Sequence, residues 1–124
     1  MQIHESAENY LETILVLQQR NGSVRSIDIA VELDFSKPSV SVAMKNLRNN
    51  GYIEMDKSGQ ITLLPTGREI AERTYEKHQV LSKALMALGV DAKTAVEDAC
   101  RIEHVISSES FEALKKHMAE GSSK

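Results

Sequence analysis

No stretch restricts the fold of this chain more than Gly51 to Leu64. Gly51-Tyr52-Ile53-Glu54-Met55 and Gln60-Ile61-Thr62-Leu63-Leu64 read as two strands, with Asp56-Lys57-Ser58-Gly59 as the turn between them. Two short helical patterns lie directly ahead. Ser26 to Leu33 brings Ile27, Ile29, Ala30 and Leu33 to helical spacing, with Ser26 as cap. Lys37 to Arg48 forms the second, with Pro38 in the first turn, where a missing N–H costs nothing. Asp34-Phe35-Ser36 separates the two and Asn49-Asn50-Gly51 stops the second. Two helices joined by so short a turn match a helix-turn-helix, whose second helix enters the major groove of DNA. A hairpin straight after that helix is a wing. The combination predicts a winged helix-turn-helix.

Helices surround this unit. His4 to Arg20 places Tyr10, Leu11, Ile14, Leu15 and Leu17 at helical spacing, and Asn21-Gly22 ends the run. After the hairpin, Thr66 is expected to cap a long helix from Arg68 to Leu88, closed by Gly89. A further helix follows Asp91, since Ala92 to Ile106 contains no Gly or Pro. The last runs from about Ser108 to Met118, and Glu120-Gly121-Ser122-Ser123-Lys124 reads as a disordered tail. The expected fold class is mainly α: an N-terminal winged helix-turn-helix followed by a helical dimerisation domain. Its boundaries are residues 1–72 for the DNA-binding domain, 73–119 for the helical domain and 120–124 for the tail. Apolar stripes on the later helices exceed what so short a chain can bury internally, and paired half-sites are the usual helix-turn-helix mode, so a homodimer is expected.

Charge points to a local rather than a global nucleic-acid surface. The chain of 124 residues carries a formal net charge of -3, which argues against holding DNA by bulk charge. Between Phe35 and Ile53, however, three basic residues (Lys37, Lys45 and Arg48) stand with no acid. Ser36, Ser39 and Ser41, with Pro38 among them, bring small side chains to the helix start, where hydroxyls reach phosphates or base edges. No apolar run is long enough to span a bilayer, the polar N-terminus lacks a signal-peptide pattern, and a single cysteine suits a reducing cytoplasm.

Chemistry concentrates in Glu97-Asp98-Ala99-Cys100-Arg101-Ile102-Glu103-His104. On a continuous helix Cys100, Glu103 and His104 share one face. Thiolate, carboxylate and imidazole together suit a first-row divalent metal such as Fe(II), Mn(II), Co(II), Ni(II) or Zn(II). The competing reading is a small buried Cys beside a solvated Glu-His pair. Asn9 and Glu12, three apart on the first helix, offer oxygen donors, against the alternative of solvated polar residues. His78, three residues from both Tyr75 and Leu81, is by itself more often structural than a ligand.

The sequence resembles the diphtheria toxin repressor and manganese transport regulator family of metal-dependent transcriptional repressors. Glu-Asn-Tyr-Leu-Glu-Thr-Ile at 8–14, Ser-Lys-Pro-Ser-Val-Ser at 36–41, Leu-Pro-Thr-Gly-Arg at 64–68, Lys-His at 77–78 and Ala-Cys-Arg-Ile-Glu-His-Val at 99–105 carry the likeness, the last resembling the iron-responsive branch. The resemblance implies a winged helix, a helical dimerisation domain and a metal site between the first helix and the later ones. By position it makes Cys100, Glu103 and His104 ligands of the iron type, and His78 and Glu12 ligands of the ancillary or manganese-type site. Asn9 departs from the Met or Asp of the family, though an amide oxygen binds a hard cation. Ser82 and Val96 stand where iron-type members place ancillary Glu and His. Val42 replaces a Gln common in iron-type recognition helices. An SH3-like C-terminal domain, frequent in iron-type members, is not expected.

The implied function is a metal-activated repressor of metal uptake or homeostasis genes, binding a double-stranded DNA operator as a cytoplasmic homodimer. Bound metal would join the first helix to the dimerisation core and shift the population toward the DNA-binding form. Fe(II) is the first choice and Mn(II) the second, because the Cys100 thiolate is a softer donor than the carboxylate of manganese-type relatives. The alternative is a winged-helix regulator of another ligand class, with Cys100 as a redox or structural thiol. An enzyme is not expected, since ferritin-like di-iron sites need Glu-x-x-His on two helices and only one Cys-x-x-Glu-His is present.

Overall fold

The computed structural model describes residues 5–122 and separates into two compact units, Met1–Arg73 and Thr74–Lys124. The first contains α1 (Glu5–Asn21), α2 (Ser26–Leu33), α3 (Lys37–Asn49), β1 (Ile53–Met55), β2 (Ile61–Leu63) and the start of α4 (Pro65–Ala87). The expected first helical residue, His4, lies outside the described residues. Leu11, Ile14, Leu15 and Leu17 form the buried face of α1, which packs on α2 and β2. Ile29 of α2, then Val40, Met44 and Leu47 of α3, complete the core with Val24, Ile53, Ile61 and Leu63. Full burial of each larger side chain contributes on the order of 1.5–3 kcal/mol.

Local chemistry sets each boundary. Ser26 is not the cap of α2 that its hydroxyl suggested. Arg25 holds that position in extended backbone, and its N–H donates to Asp28 Oδ2 at 2.9 Å, so the carboxylate three residues on takes the capping role. Asp34 ends α2 in the left-handed region at φ 57°, which Asp tolerates better than most residues, and the Phe35 N–H closes on Ala30 O at 3.0 Å. Ser36 then caps α3, accepting from Ser39 N at 3.3 Å, ahead of Pro38 in the first turn.

The wing is antiparallel, with Ile53 opposite Leu63, Glu54 opposite Thr62 and Met55 opposite Ile61. A third segment joins it, since the Ile61 N–H donates to Val24 O at 2.8 Å. Helix α4 starts at Pro65, earlier than expected, because Thr66 does not cap it. The Thr66 hydroxyl instead donates to Gly51 O at 2.7 Å, and proline supplies the first helical residue.

The second unit holds the remainder of α4, then α5 (Ala92–Ile102) and α6 (Ser108–Ser122). Gly89, at φ 100°, turns the chain out of α4 while the Val90 N–H returns to Leu85 O at 3.0 Å. Asp91 caps α5 through Thr94 N at 3.1 Å. The helix expected to reach Ile106 stops at Ile102, with Glu103 as its C-cap. Ile102, Val105 and Ile106 are β-branched and poor at continuing a helix, and Ser107 begins a new one by accepting from Ser110 N at 3.1 Å. The expected tail is also corrected: α6 continues through Ser122, because Ala119 and Glu120 favour helix and Gly121 sits in the fraying last turn. Ser123 and Lys124 lie outside the described residues. The core of this unit consists of Leu81, Ala84, Ala95, Ala99 and Phe111.

Candidate functional site

In the first unit the predicted nucleic-acid residues fall on α3 and its start. Val40, Met44 and Leu47 bury one face, which leaves Lys37, Pro38, Ser39, Ser41, Lys45 and Arg48 exposed. Ser36 is also exposed, but its hydroxyl both accepts from Ser39 N and donates to Ser39 Oγ at 2.8 Å. That hydroxyl shapes the helix start before it meets any ligand. Ser41, Lys45 and Arg48 present their polar groups from the body of the helix. An arrangement of exposed cations and hydroxyls beside a wing suits a polyanion.

The wing turn is held by one side chain that sequence reading did not single out. Asp56 Oδ1 accepts from Ser58 N at 2.9 Å, Ser58 Oγ at 2.7 Å and Gln60 N at 2.9 Å. The Ser58 hydroxyl bond foremost, then the Gln60 amide, holds its carboxyl below the usual aspartate value. An Asp two residues ahead of Ser-Gly is the signal that identifies such a turn.

In the second unit the structure brings together two residues that are 25 apart in sequence. His78 Nδ1 of α4 lies 2.9 Å from Glu103 Oε2 at the end of α5. The other carboxylate oxygen, Oε1, lies 3.4 Å from His104 Nε2 and has no hydrogen bond among the described residues. Glu103 is 1% exposed, and the His104 side chain is also buried. A carboxylate buried this deeply costs several kcal/mol of desolvation unless charges or donors surround it. Glu103 also stands at the C-terminus of α5, the negative end of the helix dipole. Two imidazoles flanking a carboxylate with an unsatisfied oxygen fit a divalent cation, which would relieve both penalties.

Cys100 is the solvent-facing member of the set. It is exposed on α5, whereas Glu103 is buried at the helix end. Glu103 keeps right-handed helical backbone, its N–H donating to Ala99 O at 2.9 Å, so the helical turn that carries Cys100 runs through to Glu103. The competing reading fares worse, because the thiol is the solvated group and the Glu-His pair the buried one. On α1, Glu12 is 8% exposed and Asn9 half-buried, so Glu12 is no solvated polar residue. The Asn9 backbone carbonyl accepts from Thr13 Oγ1 at 2.8 Å, which leaves its amide group uncommitted by that bond. Ser82 is buried and bonds back to His78 O at 2.8 Å, while Val96 is exposed. No helix among the described residues is long and apolar enough to cross a membrane.

Comparison with known proteins agrees with both halves. Residues 2–61 match the iron dependent repressor N-terminal DNA binding domain, and residues 64–122 match the iron dependent repressor metal binding and dimerisation domain. The chain is 34% identical over 110 residues to the transcriptional regulator MntR of Salmonella typhimurium, covering 89% of this chain and 70% of that protein. It is 35% identical over 116 residues to an uncharacterised HTH-type transcriptional regulator of Methanocaldococcus jannaschii, covering 92% and 93%. The structure of the manganese regulator SloR superposes with a TM-score of 0.80 at 29% identity, over 96% of this chain and 55% of that one. The chain thus spans little more than half the length of that regulator. With a DNA-binding half, a metal-binding and dimerisation half, and these relatives, the chain belongs to the iron-dependent repressor family of metal-dependent transcriptional regulators.

Proposed function

We propose that this protein is a metal-activated, DNA-binding repressor of metal uptake or homeostasis genes, with α3 as the recognition helix and a divalent transition metal as activator. One observation carries the reading: Glu103 is buried between His78 and His104 with an oxygen left over, in a chain whose family binds metal and DNA. The proposed ligands are Cys100, Glu103, His104 and His78, with Glu12 and Asn9 of α1 added from the family pattern. A bound ion would supply two positive charges and fixed coordination to these buried donors. Glu103 and the two imidazoles already hold their donor atoms close together. Lys37, Lys45 and Arg48 then neutralise phosphates, and Ser39 and Ser41 add short hydrogen bonds. If metal favours the DNA-binding form, linkage requires DNA to tighten metal binding by the same factor.

Fe(II) is the proposed physiological activator, with Mn(II) second. The preference rests on the Cys100 thiolate joining the coordination. Without it the set is imidazole, carboxylate and amide, which suits Mn(II), and the similar structure named as a manganese regulator weighs on that side. DNA affinity measured against Fe(II), Mn(II), Co(II), Ni(II) and Zn(II), with a chelator control, tests the proposal. Affinity should rise at least tenfold with the activating metal and fall back with chelator. A regulator of an organic ligand, with Cys100 as a redox or structural thiol, would bind DNA equally well in chelator, and that result would replace the present reading.

A further inference from the structure

Val42 stands out on α3. The helix buries Val40, Met44 and Leu47, so its outward face follows Pro38, Val42, Lys45 and Asn49, spaced four, three and four residues apart. Val42 is 59% exposed and is the aliphatic side chain in the middle of that face. Its neighbours there are polar, basic or proline. A β-branched residue in an exposed helix position is slightly worse than Ala for the helix itself, so helix formation does not explain it.

We propose that Val42 reads a thymine methyl group in the major groove, and so sets part of the operator sequence. The inference rests on the reading of α3 as a recognition helix. Valine has neither donor nor acceptor, so it cannot pair with the N7 and O6 acceptors of guanine, the N6 and N7 pattern of adenine or the N4 donor of cytosine. The one apolar group that an unmodified base pair displays in the major groove is the C5-methyl of thymine. The chemistry of the partner follows from that exclusion. The stiffness of Val at χ1 also suits the task, because its two methyls are placed with little loss of rotamer freedom on binding. Ser41 and Lys45, on either side, remain available for base edges or phosphate.

The test uses the full chain with Mn(II) and a duplex selected by the wild-type protein from a random library. Each thymine of one half-site is then replaced in turn by deoxyuridine, which removes only the methyl. At one position wild type should lose about fourfold in affinity, the effect of uncovering one buried methyl. Val42→Ala, an exposed change that favours helix, should lose affinity for the thymine duplex and become indifferent to that uridine. Cytosine at the same position should bind poorly, and 5-methylcytosine should recover part of the loss. Val42→Gln should move the preferred base there toward adenine, which an amide recognises in bidentate fashion. If every uridine penalty is the same in wild type and Val42→Ala, the two effects are additive and the inference is overturned. Failure to select any duplex with any of the metals would overturn the repressor reading, and this inference with it.

Discussion

Gly67 has ordinary helical backbone, and its need to be glycine comes from a neighbour. A Cβ there would collide with the Tyr52 carbonyl oxygen and stand 3.0 Å from its carbon, both backbone atoms that cannot swing aside. The same carbonyl accepts from Leu64 N at 3.0 Å, so its position is fixed by the wing. Gly67→Ala is therefore expected to cost about 1–3 kcal/mol by overpacking, read as a lower urea midpoint at unchanged slope. An unchanged midpoint would mean that α4 shifts without penalty. Cys100 poses the opposite question, because it is exposed and its worth is chemical. Cys100→Glu should turn activation toward Mn(II), and His104→Ala should abolish activation by every metal, both measured by DNA affinity. Wild type answering to Mn(II) alone, with Cys100→Ala leaving that response intact, would make Cys100 a bystander and end the iron preference.

Among the elements, α3 exposes Lys37, Lys45 and Arg48, and the wing turn is held by Asp56. Lys45→Ala and Arg48→Ala should weaken DNA binding across sequences, each lowering the salt slope by about one. A slope unchanged in both variants would remove these residues from the phosphate contacts. In the wing, the Asp56 carboxyl titrates below its ordinary value in the folded chain, so its contribution is present above the unfolded value and lost as pH falls through the lowered one. The Ser58 and Gln60 amide resonances should therefore move with a midpoint below that of a free Asp, and Asp56→Asn should remove the transition. A midpoint at or above the free value would contradict this. The helix-turn-helix and wing were legible because Pro38, the Gly-bearing turns and period-two alternation are local signals. Caps were less so: Asp28 outcompetes Ser26, and Thr66 donates to Gly51 O, choices that depend on neighbours in space. The end of α5 was missed for a related reason, since absence of Gly and Pro does not reveal that Ser107 starts another helix. Of the candidate metal ligands, the short span from Cys100 to His104 was visible as a donor cluster. The closeness of His78 to Glu103 is a tertiary fact, and the family resemblance rather than periodicity is what named His78.

At the scale of the molecule, the second unit is built thinly. Its core uses three alanines, while Leu88 and Val105 remain 81% and 73% exposed, with Met86 and Val96 also outside. Large aliphatic side chains left in water on a domain whose family dimerises mark the surface a second copy should cover. The protein is expected to sediment as a dimer at micromolar concentration, and Leu88→Glu with Val105→Glu should raise its dissociation constant about tenfold or more. A monomeric mass for wild type, with and without metal, would refute the dimer. Those bare side chains have a consequence for dose. Below the dissociation constant, the population of paired subunits grows as the square of the total by mass action, so doubling synthesis gives roughly four times the DNA-competent form. A cell could then retune its metal threshold by changing how much of this protein it makes, with no alteration to the ligands that sense the ion.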